Sequence, residues 1–388
     1  MIVLIGFVAA LDATWLYLAL FRGMFWSPSV RLGPAGELAS WPSVAVVVPA
    51  RNEASVLTRT LPRLVHQDYA GSARVLLVDD GSDDDTAEVT AEVVAADPPL
   101  ELAVVSGVEP PEGWMGKVWA MEQGRQVAGD ADYVLLTDAD IEHPPDSLRR
   151  MVAHAEGNGL DMVSLMAKLR VANRWERLVV PAFVYFFAEL YPFRWVNRPG
   201  RSTAAAAGGC VLVRRAALER AGAFDSIRGA VIDDVSLGRA LKGSGSRIWL
   251  GFSDGVASNR PYERLADLWN MVARSAFTQL RYSAALLAGT VIGLLFVFVL
   301  PVAALVIGIA YDQWLLTALA AAAWGLMALT YGPMLLYYGI WPGAAFLLPV
   351  TASLYTAMTV DSARRHWFGR GVAWKGRTYA PSAGTQPS

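Results

Sequence analysis

The sequence is poor in the residues that build disulfide frameworks and zinc sites. It has 388 residues and one cysteine, Cys210, so no internal disulfide can form, and its four scattered histidines offer no metal-ligating cluster. Any metal must therefore rest on carboxylates. Charge is also scarce: Asp, Glu, Lys and Arg make up 18% of the chain, with a net charge of -2, which gives no electrostatic grip on nucleic acid. No long-period repeat is present, which argues against a solenoid or propeller. Apolar residues are abundant instead, at 54%, above the share of an ordinary soluble domain.

That apolar excess is concentrated. Ile2 to Phe21 holds one charge, Asp12, and Ala284 to Val360 holds one, Asp312. A helix needs about 20 apolar residues to cross the roughly 30 Å hydrocarbon core, so the first stretch fits one transmembrane helix and the second fits two or three. Before Ile2 there is no basic region, and before Arg22 there is no small-residue cleavage site, so residues 1–21 read as a retained anchor. The expected organisation continues with a polar domain over 22–262, an amphipathic interfacial helix over 263–283, spans over 284–360 and a basic tail over 361–388.

Between the apolar ends, strand-like and helix-like patterns alternate. The β-branched run Val44 to Val48 precedes a helical pattern from Glu53 to Val65, and strands at 74–78, 102–105 and 133–137 alternate with helices at 84–95, 117–127 and 146–156. Such alternation predicts an α/β fold with a doubly wound, mostly parallel sheet. Ligands of these sheets sit beyond the carboxyl ends of the strands, where the polar clusters of this sequence fall. The stretch Leu178 to Tyr191 is apolar but short, and it fits either an interfacial or a buried helix.

Asp138 and Asp140 flank Ala139 at the end of an apolar strand. They either cap the turn beyond Pro144-Pro145 or hold a hard divalent cation, which takes one or two carboxylates and completes its shell with phosphate oxygens and water. Asp79 and Asp80 end another strand, where a carboxylate can accept hydrogen bonds from a base or ribose. The run Asp83 to Asp85 suits capping of the next helix. Gly113-Trp114-Met115-Gly116-Lys117 opens a helix whose amides and lysine suit a diphosphate, or forms a plain glycine turn with a solvated lysine. Asp233 and Asp234 precede a further helix and either cap it or supply a general base.

In this order, VVVPARNE, LVDDGSDDDT, GKVWAMEQG, TDAD and IDDVSLG resemble glycosyltransferase family 2 and its GT-A nucleotide-diphospho-sugar fold, over roughly Pro42 to Phe252. The fuller set, with GWMGKVWA, TAAAAGGCVLVRR, RGAVIDD, IWLGFS and ARSAFTQLRYS, is similar to the hopanoid-associated subgroup described as hopene-associated glycosyltransferases, over nearly the whole chain. The resemblance implies a nucleotide-sugar site formed by Pro49, Arg51, Glu53, Asp79, Asp80, Lys117, Asp138 and Asp233. It further implies Mg²⁺ or Mn²⁺ on Asp138 and Asp140, and Asp234 as catalytic base. Gln279 and Arg281 would contact the diphosphate or the membrane interface. Two departures stand out: Asp233-Asp234 replaces the usual Glu-Asp, and Gln279-Leu280-Arg281-Tyr282 only approaches the Gln-x-x-Arg-Trp of processive members, which argues against a polysaccharide synthase.

The expected partners are a nucleotide-sugar donor, a lipid acceptor and the membrane, with no nucleic acid. The acceptor would be a hopanoid-type lipid hydroxyl or a polyprenyl phosphate. The expected location is the cell inner membrane, multi-pass, with the catalytic domain in the cytoplasm. Arg364, Arg365, Arg370, Lys375 and Arg377 place the tail in the cytoplasm too, which conflicts with three C-terminal spans and fits two plus a re-entrant segment near Trp341-Pro342. A transporter fits poorly, because the spans lack intramembrane polar residues and repeats. A nucleotide-sugar-binding protein without turnover remains the alternative to an enzyme.

Overall fold

A computed structural model describes residues 1–369 and the backbone of 372–374 and 377–379, so Arg370, Lys375 and Arg377 as tail charges lie outside the described side chains. The chain forms two compact units. One joins 30–170 to 195–261, and the other joins 1–29, 171–194 and the helices that follow residue 262. The expected single domain over 22–262 is thus interrupted, because 171–194 packs with the apolar helices.

The first unit is built on an eight-stranded sheet: β1 (Val44–Ala50), β2 (Ala73–Asp79), β3 (Glu101–Ser106), β4 (Tyr133–Thr137), β5 (Ile141–Glu142), β6 (Met162–Leu169), β7 (Cys210–Arg214) and β8 (Ile248–Ser258). Its order is β3-β2-β1-β4-β7-β6-β8-β5. β1 to β4 are mutually parallel, as are β6 and β8, while β7 and β5 run against their neighbours. Every residue of β1 and β4 is buried, as expected of strands covered on both faces. Helices fill the crossovers, and one approaches β1 tightly at Gly124 in the helix Gly116–Ala128. A Cβ there would lie 2.3 Å from Val47 Cγ1, so only glycine lets this helix settle on β1.

Register lines up the strand ends. Ala50 pairs with Asp79, Asp79 with Ser106, and Thr137 with Cys210, the first residue of β7. The loops 50–53, 79–82, 138–140 and 208–209 therefore leave one edge of the sheet.

Among the described residues, the second unit contains four helical segments long and apolar enough to cross a membrane: Ile2–Phe21, Ala284–Ala310, Trp314–Tyr337 and Pro342–Trp367. The second contains a π-helical turn at Leu295–Val299 followed by Pro301. The first and third run in the same direction: Val8 clusters with Leu316 and Ala320 near their starts, while Phe25, just past the end of the first, and Tyr331, in the second half of the third, both pack on Tyr185. The last begins as a 3₁₀ turn, Pro342–Leu347, whose Phe346 ring lies 5.3 Å from Trp324. It ends with Ser362 accepting from the Phe277 amide and Asp361 accepting from Trp269.

Leu178 to Tyr191 belongs to the helix Arg174–Leu190, which opens with an Asn173–Glu176 capping box and buries Val179, Val180, Val184 and Tyr185. Thr351 and Tyr355 donate hydrogen bonds to its carbonyls at Leu178 and Val179. The segment expected as one amphipathic helix over 263–283 is instead two, Leu265–Ala273 and Ala276–Gln279. Arg281 and Tyr282 follow with φ of 52° and 57°, a left-handed reversal that no continuing helix accommodates.

Candidate active site

The site is assembled at the carboxyl edge of the sheet. Asp138 and Asp140 follow β4 in a turn closed by the Ile141 amide donating to the Asp138 carbonyl, with Ala139 between them buried in the core. Asp138 lies 2.7 Å from the Lys117 ammonium, which also sits 3.2 Å from Asp233. Lys117 is the second residue of the helix Gly116–Ala128, and Asp233 is the first of Asp233–Gly243. One lysine thus bridges the end of β4 and the start of a remote helix.

Asp140 is buried. Its Oδ2 accepts a 2.6 Å hydrogen bond from Ser258 and lies 3.3 Å from Arg260 Nε. Arg260 also donates to both oxygens of Glu53, at 2.8 and 3.1 Å. A second basic residue therefore joins two further carboxylates. Asp80 is almost fully buried, with the Arg51 guanidinium 3.7 Å from its carboxylate and donating to its backbone carbonyl. Asp79 accepts from the amide and hydroxyl of Ser82 in a turn. Pro49 lies within β1, paired with Val78.

Asp234 Oδ2 accepts from the Gly208 amide at 2.9 Å, and Oδ1 from the Val235 amide at 2.7 Å. A Cβ on Gly208 would fall 3.2 Å from that of Asp234, so the tight approach favours glycine. Burial and the neighbouring Asp233 push the Asp234 carboxyl up to about 6, against the pull of Lys117 and the two amides. Burial also raises Asp138, again opposed by Lys117. For Lys117 burial disfavours the charge, but Asp138 and Asp233 outweigh it and raise its pKa.

The geometry brings together Pro49, Arg51, Glu53, Asp79, Asp80, Lys117, Asp138, Asp140, Asp233 and Asp234 in one compact unit. Gln279 and Arg281 lie in the other, where Gln279 donates to Tyr191 and Arg281 is exposed. Sequence reasoning missed Ser258 and Arg260, whose only local signal is a Ser-Asn-Arg-Pro stretch closing a long strand. It also missed His143. Buried and held neutral, with its pKa pushed down to about 4, His143 bonds Thr137 at 2.8 Å and Ser147 at 3.2 Å, while Ser147 donates to Gln67. This chain fixes the loop that carries Asp138 and Asp140.

Among the described residues no group of three or more His, Cys, Asp or Glu side chains could hold a metal. Asp138 and Asp140 alone form a two-carboxylate, all-oxygen donor set. That set fits Mg²⁺ or Mn²⁺ completed by phosphate oxygens and water, and it does not fit a zinc cage.

A mostly parallel sheet with this carboxylate rim defines a GT-A-like transferase. Residues 42–275 match the model of the family described as "Glycosyltransferase like family 2", and the chain belongs to that family. Over 141 residues it is 31% identical to an undecaprenyl-phosphate 4-deoxy-4-formamido-L-arabinose transferase of Pseudomonas savastanoi pv. phaseolicola, covering 34% of this chain and 38% of that protein. An N-acetylglucosaminyltransferase of Mesorhizobium japonicum is 32% identical over 145 residues, covering 37% of this chain and 32% of the relative. The chain thus spans well under half the length of these relatives. Among solved structures, a mannosyltransferase from Pyrobaculum calidifontis in complex with GDP-Man and Mn²⁺ superposes with a TM-score of 0.57 at 21% identity, over 94% of this chain and 99% of that one. That likeness is one of fold.

Proposed function

We propose that this protein transfers a sugar, with inversion, from a UDP- or GDP-sugar to a lipid acceptor at the membrane surface. The observation that carries the proposal is the rim itself: Asp138 and Asp140 for the cation, Lys117 beside them, and Asp233 and Asp234 opening the facing helix. The new bond forms between an acceptor oxygen and the anomeric carbon as the bond to the diphosphate breaks, and the electron pair leaves with the nucleoside diphosphate. When bound, Mg²⁺ or Mn²⁺ stabilises that departing charge. Lys117 supplies a further positive group at the same place, and Arg51, Glu53, Asp79 and Asp80 line the nucleoside end.

The first acceptor reading is a polyprenyl phosphate, supported by the undecaprenyl-phosphate transferases among the relatives. A phosphate oxygen already carries negative charge and has no proton to lose. The second reading, a lipid hydroxyl as on a hopanoid-type lipid, is favoured by Asp234, because a half-buried carboxylate with a raised pKa suits a general base. The variant Asp234→Asn separates the two. With a hydroxyl acceptor, turnover should fall about 10²- to 10⁴-fold while nucleotide binding persists. With a polyprenyl phosphate it should fall far less. Purified protein with Mn²⁺ that neither transfers nor hydrolyses any common nucleotide sugar would leave only a binding protein. The proposed location is the inner membrane, with the catalytic unit on the cytoplasmic side, where nucleotide sugars are made.

A further inference from the structure

We propose that Lys117 competes with the divalent cation for Asp138, so that the metal enters fully only when a diphosphate arrives to take the ammonium. The inference rests on the reading of Asp138 as a metal ligand.

The Lys117 ammonium lies 2.7 Å from Asp138 Oδ1 and 3.2 Å from Asp233 Oδ2. A Mg²⁺ or Mn²⁺ ion on Asp138, with metal–oxygen distances of about 2 Å, would stand within a few ångströms of that ammonium. Two cations that close cannot share one carboxylate oxygen without strong repulsion in a half-buried site. The lysine can yield: its side chain is 21% exposed and its four-carbon stem has freely rotating bonds. What it needs is another anion, and the diphosphate of the donor provides one.

The contrast with Asp140 sharpens the argument. Arg260 is held by the two oxygens of Glu53 as well as by Asp140, and its planar fork is suited to stay where it is. Its contact and that of Ser258 both fall on Oδ2 of Asp140, and among the described residues no side chain bonds to Oδ1. At Asp140 a cation would meet a guanidinium fixed by Glu53, whereas at Asp138 it would meet an ammonium on a flexible stem, and there it is the basic partner that moves. The same displacement parts Lys117 from Asp233, next to Asp234, so donor binding would also change the charge beside the base.

Mn²⁺ titration of the full-length protein in detergent, with free Mn²⁺ read by electron paramagnetic resonance and with UDP or GDP absent or saturating, tests this. Wild-type protein should bind Mn²⁺ weakly alone and about tenfold or more tighter with nucleoside diphosphate. Lys117→Gln should bind Mn²⁺ alone about tenfold tighter than wild type, with most of the nucleotide-induced gain gone. Lys117→Arg keeps the cation and should stay near wild type without nucleotide, which checks that the fold tolerates change here. If Lys117→Gln binds Mn²⁺ alone no tighter than wild type while Asp138→Asn loses binding, the competition is overturned and the metal site stands. If Asp138→Asn binds Mn²⁺ as wild type does, the metal site falls and the competition with it.

Discussion

Asp234 is held between opposing demands. The amides of Gly208 and Val235 and the charge of Lys117 favour its ionised form, while burial and Asp233 disfavour it and win, leaving its pKa near 6. As a base it must be ionised, so transfer to a hydroxyl acceptor should fall as pH drops through about 6, and a pH–rate profile of kcat would show that limb. The stability consequence has the opposite sign. The folded chain holds this proton more tightly than the unfolded one, so ionisation of Asp234 costs stability as pH rises from the ordinary carboxylate range through 6. Asp234→Asn should raise the melting temperature by a few degrees at pH 8 and leave it unchanged at pH 3.5, as calorimetry would report. Asp138, Asp140 and Asp234 were legible because each sits at a junction where a hydrophobic pattern stops. Arg260 was not, because nothing in a linear sequence joins it to Glu53, far away along the chain.

Elements were legible wherever their periodicity is enforced by burial. β1 and β4 are apolar without interruption and lie at the sheet centre, and the helix Ala54–Val65 keeps one apolar stripe. Gly124 belongs to the same logic, since the helix it interrupts would otherwise stand off β1. Gly124→Ala forces a methyl against Val47, and overpacking of this kind costs about 1–3 kcal/mol, so chemical denaturation should show a lowered midpoint for the catalytic unit. The segment 263–283 failed as a single helix for a reason periodicity cannot express. Its apolar spacing is helical, but Phe277 is drawn to Ser362, His366 and Trp367, and the chain reverses at Arg281 and Tyr282. Tertiary partners decided that boundary.

At the scale of the molecule, counting apolar segments gives four spans, and burial pattern argues for three and a hairpin. Trp314–Tyr337 runs parallel to Ile2–Phe21, so its end returns to the side where the N-terminal helix ends. From there Phe346 reaches back to Trp324 in mid-helix, and the apolar part of the last helix, Leu348 to Val360, rises only about 20 Å before Asp361. We propose that this last segment re-enters and returns, which puts Asp361 on the same, proposed cytoplasmic, side as the end of the N-terminal helix. Cys210, the sole cysteine, is buried, so single cysteines at Ser382 and Asp312 can be tested separately with an impermeant thiol reagent in sealed vesicles. Ser382 should label only when the cytoplasmic face is outward and Asp312 only when it is inward, and labelling of both from one face would overturn the three-span reading.

The π-helical turn at Leu295–Val299 means that the second apolar segment carries one residue more than ordinary winding would need. Beyond it, Ala304 packs with Val8 and Gly308 lies against Thr317. Deleting one residue within the turn would restore regular winding and leave those small residues facing their partners, whereas the same deletion in the regular helix beyond it would swing everything after it by about 100°. The wide turn thus works as a splice, letting the span carry a surplus residue while Ala304 and Gly308 stay keyed to their neighbours.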